Sequence, residues 1–208
     1  MMGAVMDEAA LIQAARSNDL DAFNRLVLAY QSRVYAIAYR IMGDVDSASD
    51  ATQEAFISAF KNLHRFRGGS FPSWLFRIVT NACYDELRRR KRRPSSSLDS
   101  ITEDWDGPQF DESPSMGSAP VSPDRAVERD ELQGAIKRCL DQLPPEFKVV
   151  AVLVDVQDLN YQEAAEVIGT PIGTIKSRLA RARQRLRDCL RTYRELLPAA
   201  FRQDSEGM

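Results

Sequence analysis

Apolar residues return every three or four positions along most of this chain, and strand-like alternation never lasts beyond a few residues. The pattern predicts four helices in the first half. One spans 7–17 and is capped by Asp7. A long one spans 19–42, with Phe23, Leu26, Tyr30, Val34, Ile37 and Ile41 on one side, and Gly43 stops it. The third spans 46–64, with Ala48, Ala51, Ala55, Ala59 and Leu63 inward. After the turn RFRGGS a fourth runs from about Phe71 to Arg92, its start marked by Ser70 and Pro72.

Periodicity disappears between 94 and 123, where Ser, Pro, Gly and acidic residues dominate. That composition cannot bury enough apolar surface to fold and reads as a flexible linker. Trp105 and Phe110 are unusual in a spacer and suggest a contact. A helix then runs from Pro123, with Ser122 as its cap, to about Gln142. Another follows Pro145 and extends to about Val156. The run VVAVLVDV within it also fits a buried strand by composition, but its place between two helical units favours helix. Residues 197–208 read as a frayed tail. The expected fold is all-α: two small helical domains, at 1–93 and 124–195, joined by the flexible linker 94–123 and followed by a tail at 196–208.

The segment NYQEAAEVIGTPIGTIKSRLARARQRLRDCL changes this picture most. Asn160 and Glu163 have the spacing of a capping box. Gly169 suits a left-handed turn, Thr170 an N-cap, and Pro171 a first helical position. Ile175, Leu179, Ala182, Leu186 and Cys189 form an inward seam. Ser177, Arg181, Gln184 and Arg185 lie opposite, flanked by Lys176, Arg178, Arg183 and Arg187. Two short helices joined this way read as a helix-turn-helix whose second helix enters a DNA major groove. A solvated basic helix is the bland alternative; the caps and the short preceding helix argue against it.

Charge supports the reading only when divided by region. The chain carries −2 in total, but 1–93 carries +4, 94–123 carries −6 and 124–208 is neutral. Two basic footprints flank an acidic connector, and local patches set the field that a phosphate meets. One footprint is FPSWLFRIVTNACYDELRRRKRR at 71–93, where aromatics suited to stacking on bases accompany Arg77, Asn81 and the run Arg88–Arg93. Some of those aromatics must instead belong to the core. In DSASDATQEAFISAF, Asp50, Gln53, Glu54 and Ile57 share a face opposite the alanines. That face suits a basic partner helix, although from spacing alone a solvated surface is the simpler account.

No enzyme site can be assembled, because His64 is the single histidine and no phosphate-binding glycine loop is present. Neither a metal site nor any other cofactor is expected. Cys83, Cys139 and Cys189 show no CxxC spacing, and their odd number points to a reducing compartment. With no apolar run of the ~18 residues needed to span a bilayer, and no signal peptide, a soluble cytoplasmic chain is expected.

Three segments together carry a family resemblance: DSASDATQEAFISAF, RFRGGSFPSWLFRIVTNACYDELRRRKR and YQEAAEVIGTPIGTIKSRLARARQRL. In that order around a linker, they resemble the extracytoplasmic-function (ECF) group of bacterial RNA polymerase sigma factors, over about 7–93 and 124–195. The resemblance implies that 1–93 is sigma domain 2 and 124–195 is sigma domain 4. It implies that Asp50, Gln53, Glu54 and Ile57 grip core RNA polymerase. Arg65, Arg67, Phe71, Trp74, Arg77, Asn81 and Arg88 would read and open the −10 element of promoter DNA. Thr174, Lys176, Ser177, Arg178, Arg181 and Arg185 would read the −35 element. The linker would thread toward the polymerase cleft. An anti-sigma factor, often membrane-bound in the family, would hold the chain inactive, with a role in stress response. Two rivals remain: a DNA-binding regulator independent of polymerase, which leaves 46–60 and 71–93 unexplained, and a DNA-processing enzyme, for which no nucleophile or metal carboxylates can be found.

Overall fold

A computed structural model describes residues 7–92 and 123–198. The linker, with Ser122, Trp105 and Phe110, and the tail from 199 onward lie outside the described residues. Within them there are helices and no strands.

Helix α1 (Glu8–Arg16) is capped by the Asp7 carboxylate, which accepts the Ala10 N–H at 3.0 Å. Helix α2 (Leu20–Met42) is capped in the same way by Asp19 and ends at Gly43, whose φ of 85° an L side chain rarely adopts. Helix α3 (Val45–Asn62) starts on Asp44 and runs into a 3₁₀ turn at Leu63–Arg65. Helix α4 spans Phe71–Arg92. The alanine stripe of α3 is inward: Ala48, Ala55 and Ala59 are fully buried, and so is Val34 of the facing α2. Small residues there let the helix backbones approach closely, and the large side chains Leu26, Ile37, Phe71, Leu75 and Phe76 fill the remaining space.

The second unit comprises α5 (Pro123–Asp141), α6 (Pro145–Ala151), α7 (Tyr161–Ile168) and α8 (Ile172–Leu190), followed by a 3₁₀ turn at Arg191–Leu196. Helix α6 continues as a π-helical turn at Val152–Val156, closed by the Gln157 N–H on the Val152 carbonyl at 3.1 Å. The run VVAVLVDV is therefore helical, as its position predicts.

The two units share a core, which periodicity does not reveal. Val149, Val152, Leu153, Leu159 and Val167 pack into the same apolar cluster as α2 and α4. Polar ties rim the contact. Lys148 is only 7% exposed and donates to Asp141 at 2.9 Å and to the Ile41 carbonyl at 3.3 Å, so its buried charge is paired and hydrogen-bonded. Arg33 lies over the Phe76 ring at 4.8 Å and donates to the side chain and backbone carbonyl of Gln157 at 3.3 Å.

Candidate nucleic-acid interface

The capping box forms as the sequence predicts. Asn160 accepts the N–H groups of Gln162 and Glu163, while the Glu163 carboxylate accepts the Asn160 N–H at 2.9 Å. Gly169, at φ 73°, turns the chain between α7 and α8. The entry to α8 differs from expectation. Pro171 occupies the cap position with no side-chain hydrogen bond, and the Thr170 hydroxyl is buried without a partner. Proline's fixed φ starts the helix here and displaces Thr170 from the capping role.

Ile175, Leu179 and Ala182 are buried and seat α8 on the second core, with Leu186 half-buried beside them. This seam turns Lys176, Ser177, Arg181 and Arg185 to solvent. Thr174 is half-buried, and its carbonyl accepts the Ser177 hydroxyl at 3.0 Å. Two cations are braced. Lys176 lies 5.9 Å from the Tyr161 ring centre, and Arg185 lies 5.4 Å from that of Phe147. Arg183 instead turns to Asp155 of the π-helical turn, at 2.5 and 3.2 Å. Its pKa rises, chiefly through that hydrogen bond. Arg178 is half-buried next to α4, close enough to influence the Tyr84 hydroxyl. Burial raises the pKa of that phenol; Arg178 opposes the shift and Glu146 reinforces it.

A second surface surrounds the 66–70 loop. Gly68 and Gly69 adopt φ of 99° and 90°, which only glycine tolerates freely. The Ser70 hydroxyl accepts the Ser73 N–H at 3.3 Å and starts α4. Phe71 is only 1% exposed. Its ring packs 5.6 Å from those of Tyr30 and Phe66 and 5.7 Å from that of Trp74. Apolar burial thus places Phe71 in the core, where it supports the half-buried Trp74 from below instead of meeting solvent. Arg65, Arg67 and Arg77 are exposed around this cluster. Three arginines near the end of α4 have carboxylate partners: Arg88 meets Asp85 at 3.5 Å, Arg89 meets Glu86, and Arg90 bonds Asp44 at 3.1 Å, Glu86 at 3.2 Å and the Ser47 hydroxyl. Burial alone would raise the pKa of Asp44, but Ser47 and Arg90 together hold it below the ordinary aspartate value.

Between α3 and α4 lies an open groove of about 880 Å³. Asp50, Gln53, Glu54 and Ile57 line one wall; Asn81, Asp85 and Glu86 line the other. Ile57 is 39% exposed, an apolar spot within an acidic surround. The structure therefore gathers the four α3 candidates in one place. It sets Asn81 facing them, apart from Arg65, Arg67 and Trp74. No group of His, Cys, Asp or Glu among the described residues could hold a metal. No described helix is long and apolar enough to cross a membrane.

One pairing has no precursor in the sequence pattern. Cys139 of α5 and Cys189 of α8 form a disulfide with a Cα–Cα distance of 5.7 Å. The cysteine spacing named no pair; residues 50 apart meet because α5 packs along the end of α8. Cys83 is the free thiol.

Known proteins match this architecture. Residues 26–93 match Sigma-70 region 2, and residues 133–186 match Sigma-70 region 4. The chain is 35% identical over 171 residues to the ECF RNA polymerase sigma factor SigE of Mycolicibacterium smegmatis, covering 82% of this chain and 62% of that one. It is also 35% identical over 182 residues to the ECF RNA polymerase sigma factor SigW of Bacillus subtilis, covering 86% of this chain and 95% of that one. Among solved structures, the sigma factor RpoE in complex with the anti-sigma factor NepR from Bartonella quintana is similar, with a TM-score of 0.60 and 26% identity. That match covers 81% of this chain and 96% of RpoE. A helix-turn-helix with a cationic front, an acidic groove between α3 and α4, and this breadth of likeness place the chain in the ECF group of RNA polymerase sigma factors, non-enzymatic proteins that recognise promoters and direct transcription initiation.

Proposed function

We propose a division of labour among three surfaces. Residues 124–195 act as sigma domain 4, and Lys176, Ser177, Arg178, Arg181 and Arg185 meet the −35 element, with Thr174 fixing the first turn of the reading helix. Residues 1–93 act as sigma domain 2. There Arg65, Arg67, Trp74 and Arg77 meet the −10 element, while Asp50, Gln53, Glu54 and Ile57 receive a basic helix of core polymerase, with Asn81 at the border between the two. Residues 94–123 connect the domains, and 196–208 form the tail.

The observation that carries this reading is the front of α8. Lys176 and Arg181 are exposed there with no carboxylate partner among the described residues, on a helix whose rotation is fixed by three buried seam residues. Arginine in that position can fork onto guanine edges or grip phosphate.

The packed arrangement sets a requirement on the mechanism. By their names the −35 and −10 elements lie 25 base pairs apart, about 85 Å at 3.4 Å per pair. Domains that share a core cannot reach both. Residues 93–122 would reach about 100 Å if fully extended, enough to allow separation. Core polymerase therefore has to part the two units and hold each at its element, which makes the second DNA contact intramolecular. By analogy with the RpoE–NepR complex, an anti-sigma factor would compete by favouring a form in which those surfaces are covered.

Run-off transcription with purified core polymerase tests the reading. The chain should direct initiation from a promoter with both elements, and scrambling either element should abolish the product. Initiation that ignores both elements, or no complex with core, overturns it.

A further inference from the structure

The Cys139–Cys189 pair stands outside everything that the DNA and polymerase surfaces require. Cys139 is 1% exposed on the inner side of α5, and Cys189 is half-buried near the end of α8. Helix α5 is a strut with contacts on both sides. Toward α8, Arg138 stacks 5.1 Å from the Tyr193 ring centre and donates to the Tyr193 hydroxyl at 3.3 Å. Toward α2, Lys137 lies 5.2 Å from the Tyr39 ring centre, and Asp141 holds the buried Lys148 of α6, which also donates to the Ile41 carbonyl. A covalent bond at Cys139 thus fastens the strut near its C-terminal end.

We propose that Cys139 and Cys189 are a reversible dithiol–disulfide site, and that its redox state sets the temperature range over which the domain carrying α8 stays folded. Cys189, the accessible partner, is the point of exchange. As a thiolate it attacks a small-molecule disulfide R–S–S–R and expels one R–S⁻, leaving a mixed disulfide. The Cys139 thiolate then attacks the Cys189 sulfur and expels the second R–S⁻. Two protein thiols have given up two electrons and two protons, which end on two R–SH molecules; a dithiol reductant reverses the steps. Cys83 takes no part. It is buried in α4, and burial pushes its thiol up to about 12, so it is neither accessible nor ionised.

The crosslink leaves the front of the reading face open, and only Arg185, one turn before Cys189, lies close to it. Arg181 and Thr174 lie 8 and 15 residues before Cys189, about 12 and 22 Å along the helix axis at 1.5 Å per residue. Oxidation therefore acts on the persistence of the fold and not by covering the DNA surface.

The test uses the full chain. Samples equilibrated in glutathione buffers of stepped potential are quenched in acid, unfolded in denaturant and labelled with a maleimide, and the labelled cysteines are located by mass spectrometry. Cys139 and Cys189 should change together, with the free thiol Cys83 labelled at every potential. Labelling of either independently of the other, or only a glutathione adduct at Cys189, overturns the proposal. Thermal melts form the second arm: the oxidised protein should melt at least about 5 °C above the reduced protein, and Cys189→Ser should match the reduced protein in either buffer. Coincident melts of oxidised and reduced wild type overturn it. Both arms read the thiol pair whatever the domain binds. The assignment of α8 to the −35 element is read separately, by footprinting at 25 °C, where both redox forms should bind alike; a difference of more than tenfold there refutes the uncovered-face account.

Discussion

Helices α4 and α8 are both rich in arginine, yet they use it in opposite ways. At the end of α4, Arg88, Arg89 and Arg90 lie against Asp85, Glu86 and Asp44, and Arg90 joins the end of α4 to the start of α3. On α8 Asp155 takes Arg183 from the side, and Asp188, one turn past Gln184, accepts from Gln184 at 3.0 and 3.1 Å and meets Arg191 beyond the helix end at 3.6 Å. Lys176 and Arg181 are left at the front. The number of basic residues in a helix therefore says little about nucleic acid; what counts is whether nearby carboxylates already satisfy them. By this criterion Arg88 is a weaker DNA contact than Arg181.

The largest effect that sharpens this contrast should come from the support of α8. Leu179→Ala removes a side chain that is 2% exposed and should cost about 2–5 kcal/mol of stability. Thermal melts should show the loss, and −35 protection should vanish while a pull-down still recovers core polymerase. Arg181→Ala should cost about 1–3 kcal/mol in binding to duplex −35 DNA. Gel shifts of the holoenzyme at stepped salt would measure it, with an unchanged melting temperature. Asn160→Ala removes the capping-box acceptor and should cost about 1 kcal/mol of stability. Arg90→Ala should do the reverse of Arg181→Ala. It should lower stability by about 1 kcal/mol or less, since the pair is well exposed, and leave DNA affinity unchanged; a loss of −10 binding without a loss of stability would break the comparison. The smallest effect is on pH. The folded-state pKa of Asp44 lies below the ordinary 3.8, so its tie to Arg90 contributes fully above about that pH and is lost as pH falls through the lower folded value. Acid titrations followed by circular dichroism should show a step in the wild type that Asp44→Asn lacks.

The contrast also marks what could be read from the chain. The span of α4, the stop at Gly43, the alanine stripe of α3 and the capping box at Asn160 all depend on neighbours within a few turns, so local pattern predicts them. The α3 candidates share a face for the same reason. Phe71 fails because an aromatic at a helix start can point to solvent or to the core, and only Tyr30, 41 residues earlier, decides which. The bond between Cys139 and Cys189, the salt bridge of Arg183 with Asp155 and the burial of Lys148 against Ile41 all join distant segments. No local period encodes such meetings. The pairing state of each arginine depends on them too, which is why two basic runs of similar composition could not be ranked.

The wide turn at Val152–Val156 has one more implication. An α-helix advances about 100° per residue, and here the chain carries one residue more than ordinary winding needs to join Ala151 to Gln157. Removing one residue from this stretch would restore regular winding and shift the azimuth of everything downstream by about a quarter turn. Gln157 would leave Arg33, Asp155 would leave Arg183, and the reading head would face a different direction while each of its own helices remained intact. A single-residue deletion here would act like a gear slipped by one tooth.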